Sequence, residues 1–175
     1  MTSAPTTVFI ALLRAVNVGG TGKLAMSDLK AMCDGLGFVG ARTYIASGNV
    51  VFRSAAGEAA VKAALEAKLA ASAGKPVGVV IRTGVELAAV LAANPFADLA
   101  ANKTVAIFLD APPPHDAIEH ATGRAGEQVV AGRRGLYVHY DNGMRDTKLV
   151  IPAARAGTAR NMNTVAKLVA IAGDA

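Results

Sequence analysis

The chain has no tryptophan, one cysteine and only 5% aromatic residues in a length of 175. A lone thiol, Cys33, excludes an internal disulfide framework and fits a reducing cytoplasm. Few aromatics mean few platforms on which nucleic-acid bases could stack. Long apolar runs are missing too: Phe9 to Leu13 falls far short of the roughly 20 residues that a spanning helix needs. The opening Met1-Thr-Ser-Ala-Pro-Thr-Thr carries no positive charge ahead of an apolar stretch, so no signal peptide is expected. Cytoplasmic location without membrane association is the expectation.

Apolar residues make up 53% of the chain and charged residues 18%, the balance of a globular protein rather than a disordered one. Net charge is +5 and unevenly spread: residues 1–123 hold ten Lys and Arg against nine Asp and Glu, residues 124–175 eight against four. A modest basic bias in the last third favours anionic partners, nucleic acid included, and also serves solubility.

Val8 to Leu13 has the unbroken apolar character of a strand covered on both faces. A helix is predicted after it, capped by Ser27, with Leu29, Met32, Cys33 and Leu36 at helical spacing and Gly37 as its stop. Arg42–Ala46 and Asn49–Arg53 read as strands around Ser47-Gly48. Val61, Ala64, Leu65 and Leu69 mark a second helix, and Val77 to Arg82 a fourth strand. Strand-helix-strand-strand-helix-strand is the ferredoxin-like, split βαβ order. A helix ending at Asn94-Pro95 follows. The second half then echoes the first, with strands at Thr104–Leu109, Glu127–Ala131 and Leu136–Tyr140, a short helix over 115–122, and a closing helix from about Ala159. The expected fold is α+β: duplicated ferredoxin-like units sharing a mixed sheet, one over 1–94 and a half-repeat over 95–175.

Polar, glycine-rich segments interrupt these runs at Arg14-Ala-Val-Asn17-Val-Gly19-Gly20, at Tyr44-Ile-Ala-Ser47-Gly48-Asn49 and at Gly157-Thr158-Ala-Arg160-Asn161-Met-Asn163-Thr164. Such residues at strand ends and helix starts suit an anion pocket. Named nucleotide motifs fail here. A Walker A loop would need Gly where Asn17 stands and Ser or Thr where Leu24 stands. Gly20-x-Gly22-x-x-Ala25 lacks an acidic residue about 20 positions on, where Ala41, Arg42 and Thr43 lie. No cofactor is implied. His115, Glu119 and His120 have the wrong spacing for a zinc helix, so no metal is expected. Cys33 shares a stripe with Leu29 and Leu36 and reads as a buried small hydrophobe. Thr158 reads as the natural cap of the last helix. Arg160, Asn161 and Asn163 in its first turns either brace neighbouring loops or ligate something at the positive end of the dipole.

Leu-Leu-Arg-Ala-Val-Asn-Val-Gly-Gly at 12–20, Arg-Thr-Tyr-Ile-Ala-Ser-Gly-Asn-Val-Val-Phe at 42–52, Asn-Pro-Phe at 94–96 and Gly-Thr-Ala-Arg-Asn-Met-Asn-Thr at 157–164 resemble the bacterial domain-of-unknown-function 1697 family. The resemblance runs from about Phe9 to Leu168. Ala46 stands where that pattern usually has Gln, and Met162 where it usually has Trp. It implies a small cytoplasmic α+β protein with a duplicated ferredoxin-like unit, and no reaction.

The chemistry of the polar segments points to a binding domain for a small phosphate or carboxylate. Arg14, Asn17, Ser47, Asn49, Arg160 and Asn161 are expected to line its cleft, with Gly19, Gly20, Gly48 and Asn163 alongside. An enzyme of unassigned class is the alternative, with Ser47 its most nucleophile-like group and no local base. A weak, sequence-blind nucleic-acid binder working through the basic last third is the other alternative.

Overall fold

A computed structural model describes residues 4–17 and 23–175. The element order is β1 (Thr7–Leu13), α1 (Met26–Gly35), β2 (Val39–Thr43), β3 (Asn49–Ser54), α2 (Glu58–Ala73), β4 (Val79–Thr83), α3 (Gly84–Ala92), β5 (Thr104–Phe108), β6 (Gln128–Ala131), β7 (Gly135–His139), β8 (Thr158–Asn161) and α4 (Met162–Gly173). Two compact units emerge, one of residues 1–87 with 168–175 and the other of 88–167.

The first unit contains a four-stranded sheet in the order β2-β3-β1-β4, and every neighbouring pair is antiparallel. Phe9, Ala11, Leu13, Val50, Phe52, Val79 and Ile81 share one face, because strand side chains alternate. Helices α1 and α2 cover that face with Leu29, Cys33, Val61, Leu65 and Leu69. Phe52 stacks on Phe38 with ring centres 4.3 Å apart. The opposite face is buried as well, through Ile10, Leu12, Val51, Val80 and Arg82, which explains why β1 shows no polar alternation.

The second unit repeats the strand order as β6-β7-β5-β8, again antiparallel throughout. Its core holds Val105, Ile107, Leu109, Val129, Leu136, Val138 and Ile151. The two registers correspond: Ile10 faces Arg82 as Ala106 faces Arg160, and Phe9 faces Thr83 as Val105 faces Asn161. The last two residues of each fourth strand are thus an arginine and a helix-capping residue.

Four expectations need correction. Among the described residues there is no shared mixed sheet: β1 and β2 run the same way, but β3 lies between them, so every ladder there is antiparallel and each sheet has four strands. The predicted helix over 115–122 is a run of turns, held off helix by Pro112-Pro-Pro114 before it and Gly123 after it. Thr158 does not cap the last helix; it begins β8, whose four residues pair with β5 and are too few to show a period. Ser27 lies inside α1, whose cap position is Ala25 with no side-chain bond.

Candidate functional site

At one end of the first sheet β1 finishes, and β3 and β4 begin. The segments after β1, between β2 and β3, and between α2 and β4 therefore meet there. Main-chain bonds tie them: Leu13 N–H donates to Gly48 O and Arg14 N–H to Gly78 O, each at 2.9 Å. Gly48 is required on two counts. Its φ is +90°, and a Cβ there would stand 2.6 Å from Val16 Cγ2 and 2.9 Å from Leu13 Cβ.

Asn17 is the hub of this arrangement. Its Nδ2 donates to Leu24 O and to Ala46 O, both at 2.8 Å, and its Oδ1 accepts from Leu24 N–H at 2.7 Å. Asn49, fully buried, donates through Nδ2 to Tyr44 O at 2.8 Å and Ser47 Oγ at 3.0 Å. Ala15, Asn17 and Ile45 all hold left-handed backbone, with φ of 53°, 55° and 49°. For a β-branched residue such as Ile45 this is strained, and the surrounding bonds must hold it.

Beside that frame lies a cleft of about 710 Å³, lined by Arg14, Ala15, Val16, Lys23, Leu24, Leu69, Ser72, Ala73, Lys75, Pro76, Val77 and Gly78. Three lining residues are cationic, and none among the described residues is acidic. Gly78 matters locally, since a Cβ on it would come within 3.0 Å of Arg14 Cδ. Its bare backbone lets the arginine stem lie close.

Of the residues expected from sequence, Arg14 lines the cleft, while Asn17, Ser47, Gly48 and Asn49 form the bonded frame next to it. Gly19 and Gly20 lie outside the described residues. Arg160, Asn161 and Asn163 belong to the second unit. Arg160 is buried there, with Nη1 donating to Thr158 Oγ1 at 2.7 Å and Ala159 O at 2.9 Å. Loss of hydration pushes its guanidinium down to about 10. Asn161 caps α4, its Oδ1 accepting from Thr164 N–H at 2.9 Å. Asn163 is exposed.

Sequence reasoning missed Lys75, Pro76 and Gly78. The available signal was Gly74-Lys75-Pro76 between a helix and a strand, a loop that the split βαβ order delivers to the end of β1. It also missed a buried polar pair in the second unit. His139 Nδ1 lies 2.8 Å from Thr104 Oγ1, whose hydrogen goes to Ala100 O at 3.0 Å. Among the described residues no group of three His, Cys, Asp or Glu could hold a metal ion.

The family model described as "Protein of unknown function (DUF1697)" matches residues 6–137. No curated protein matches the chain. Among solved structures, the chain is similar to the conserved bacterial protein SP0830 from Streptococcus pneumoniae. The two share 23% identity over 96% of this chain and 99% of that one, with a TM-score of 0.79. That likeness concerns the fold.

Proposed function

The chain belongs to the DUF1697 family, whose description assigns no function, so we propose from the site alone that the first unit binds a small organic anion in its basic cleft. One observation carries the reading: Arg14, Lys23 and Lys75 line a single concavity with no described carboxylate among its walls. Concentrating one sign of charge in a cleft raises the local concentration of oppositely charged ligand. Arg14 supplies a fork suited to phosphate or carboxylate oxygens, and the lysines supply point charges. Asn17, Ser47, Gly48 and Asn49 act one step back, holding the loops from which Arg14 and Lys23 project. We read both units as ferredoxin-like and the protein as cytoplasmic, in keeping with the repeated strand order and the buried thiol.

Amide NMR with inorganic phosphate at low ionic strength tests the assignment. Shifts are expected at residues 14–16, 23–24, 72–75 and 77–78, weakening as salt rises. Arg14→Gln combined with Lys75→Gln should abolish them while the melting temperature stays near wild type. Shifts confined to other residues, or none, would reject the site.

A further inference from the structure

We infer that the cleft takes a phosphate monoester with an aliphatic body, an inference that rests on the anion-binding reading above. Size is the first argument. Water occupies roughly 30 Å³ in the liquid, so a cleft of about 710 Å³ is far larger than inorganic phosphate needs. It falls within the roughly 300–1,000 Å³ of small-molecule sites.

Wall chemistry is the second. Away from its cations the cleft is lined by Val16, Leu24, Leu69, Pro76 and Val77, with Ser72 the one side-chain hydroxyl among the described lining residues. No aromatic ring and no Asn, Gln, Asp or Glu is among the described lining residues. A nucleobase is held by stacking, chiefly on aromatic rings, and by hydrogen bonds to its edges; apart from the cations, the described side chains of these walls offer no ring and one hydroxyl. An alkyl body needs only apolar contact, which four branched side chains provide. Charge is the third argument. Three cations line the cleft, and a phosphate monoester brings about −1.5 to −2 charge to them where a carboxylate brings one.

Calorimetric titration of the whole protein with inorganic phosphate, hexyl phosphate, hexanoate and adenosine monophosphate tests this. Burying a methylene strengthens binding about fourfold, so hexyl phosphate should bind at least tenfold tighter than inorganic phosphate even if only part of its chain is covered. Adenosine monophosphate should bind no tighter than inorganic phosphate, and hexanoate more weakly than hexyl phosphate. Val77→Thr keeps the shape of the wall but replaces a methyl by a hydroxyl. It should weaken hexyl phosphate several-fold and weaken inorganic phosphate by a smaller factor. If inorganic phosphate binds through Arg14 but hexyl phosphate gains nothing, the aliphatic inference falls and the anion reading stands. If neither binds, both fall. Tighter binding of adenosine monophosphate than hexyl phosphate, or hexanoate equal to hexyl phosphate, also overturns the inference.

Discussion

Asn17 and Asn49 show how short polar side chains replace secondary structure where the chain must turn sharply. Asn17 donates its amide hydrogens to the carbonyls of Leu24 and Ala46, and Asn49 donates to the Tyr44 carbonyl and the Ser47 hydroxyl oxygen, so side chains serve carbonyls that a β-ladder would otherwise satisfy. Truncating either one leaves carbonyls without donors, which costs about 1–3 kcal/mol per stranded group. Urea denaturation of Asn17→Ala and Asn49→Ala should show losses in that range, larger for the fully buried Asn49. Cys33 is the opposite case, a polar-capable group used as packing. Burial, with Asp34 adding to it, pushes the thiol from 9.0 up to about 12. The native thiol should therefore resist alkylation at pH 8 and react only after unfolding. The unfolded chain ionises near pH 9 and the folded one does not. Stability from this group is thus complete below pH 9 and declines as pH rises toward 12. Cys33→Ala should remove that decline. His139 Nδ1 lies within hydrogen-bond distance of Thr104 Oγ1, and because the Thr104 hydroxyl donates to Ala100 O, a ring protonated on Nδ1 satisfies both groups.

Two fourth strands hand over to helices in related ways, and the caps decide where each helix starts. Thr83 and Glu86 form a reciprocal box, each side chain accepting from the other's N–H at 3.1 Å. Asn161 does the same work for α4 through a single bond to Thr164 N–H. Asn161→Ala should cost about 1 kcal/mol by thermal or chemical melt, the usual cost of losing a cap. Thr158→Ala should be felt through Arg160 instead, because the Thr158 hydroxyl accepts from that buried guanidinium. A double substitution separates the two: Thr158→Ala and Asn161→Ala should add nearly independently if the cap and the guanidinium contact are distinct. In the second unit, Glu127 is held below the ordinary carboxylate range by the Thr147 hydroxyl and by the Ala125 N–H. Its contribution to stability is present above pH 4.5 and lost as pH falls through the lowered value. Thr147→Val should shift the acid limb of the stability curve toward neutral pH.

The units are not consecutive blocks of chain: residues 168–175 belong with residues 1–87. Leu168, Ile171 and Ala172 in that segment are buried, and Ala172 Cβ lies 3.5 Å from where a Cβ on Gly84 would sit. Burying a Leu or Ile side chain contributes about 1.5–3 kcal/mol. Removing 168–175 should therefore lower the melting temperature well beyond what loss of an exposed tail produces. No helix among the described residues is long and apolar enough to cross a membrane. The net charge of +5 predicts that binding of any anion weakens as ionic strength rises.

Elements with a complete period were legible in the residues themselves. β1 announced itself by an uninterrupted apolar run, α2 by Val61, Leu65 and Leu69, and the order strand-helix-strand-strand-helix-strand follows from such local patterns. Loop chemistry near Arg14, Ser47 and Asn49 was visible for the same reason, since hydrogen-bonding residues flanked by apolar ones mark strand ends. β8 was not legible, because four residues cannot display a period and only pairing with β5 makes them a strand. That pairing draws Arg160 into the sheet and away from the helix start where its polarity suggested it. The cleft required the fold outright. Arg14 and Lys75 are far apart in the chain and come together only because β1 ends where β4 begins, a consequence of antiparallel register that no local window contains.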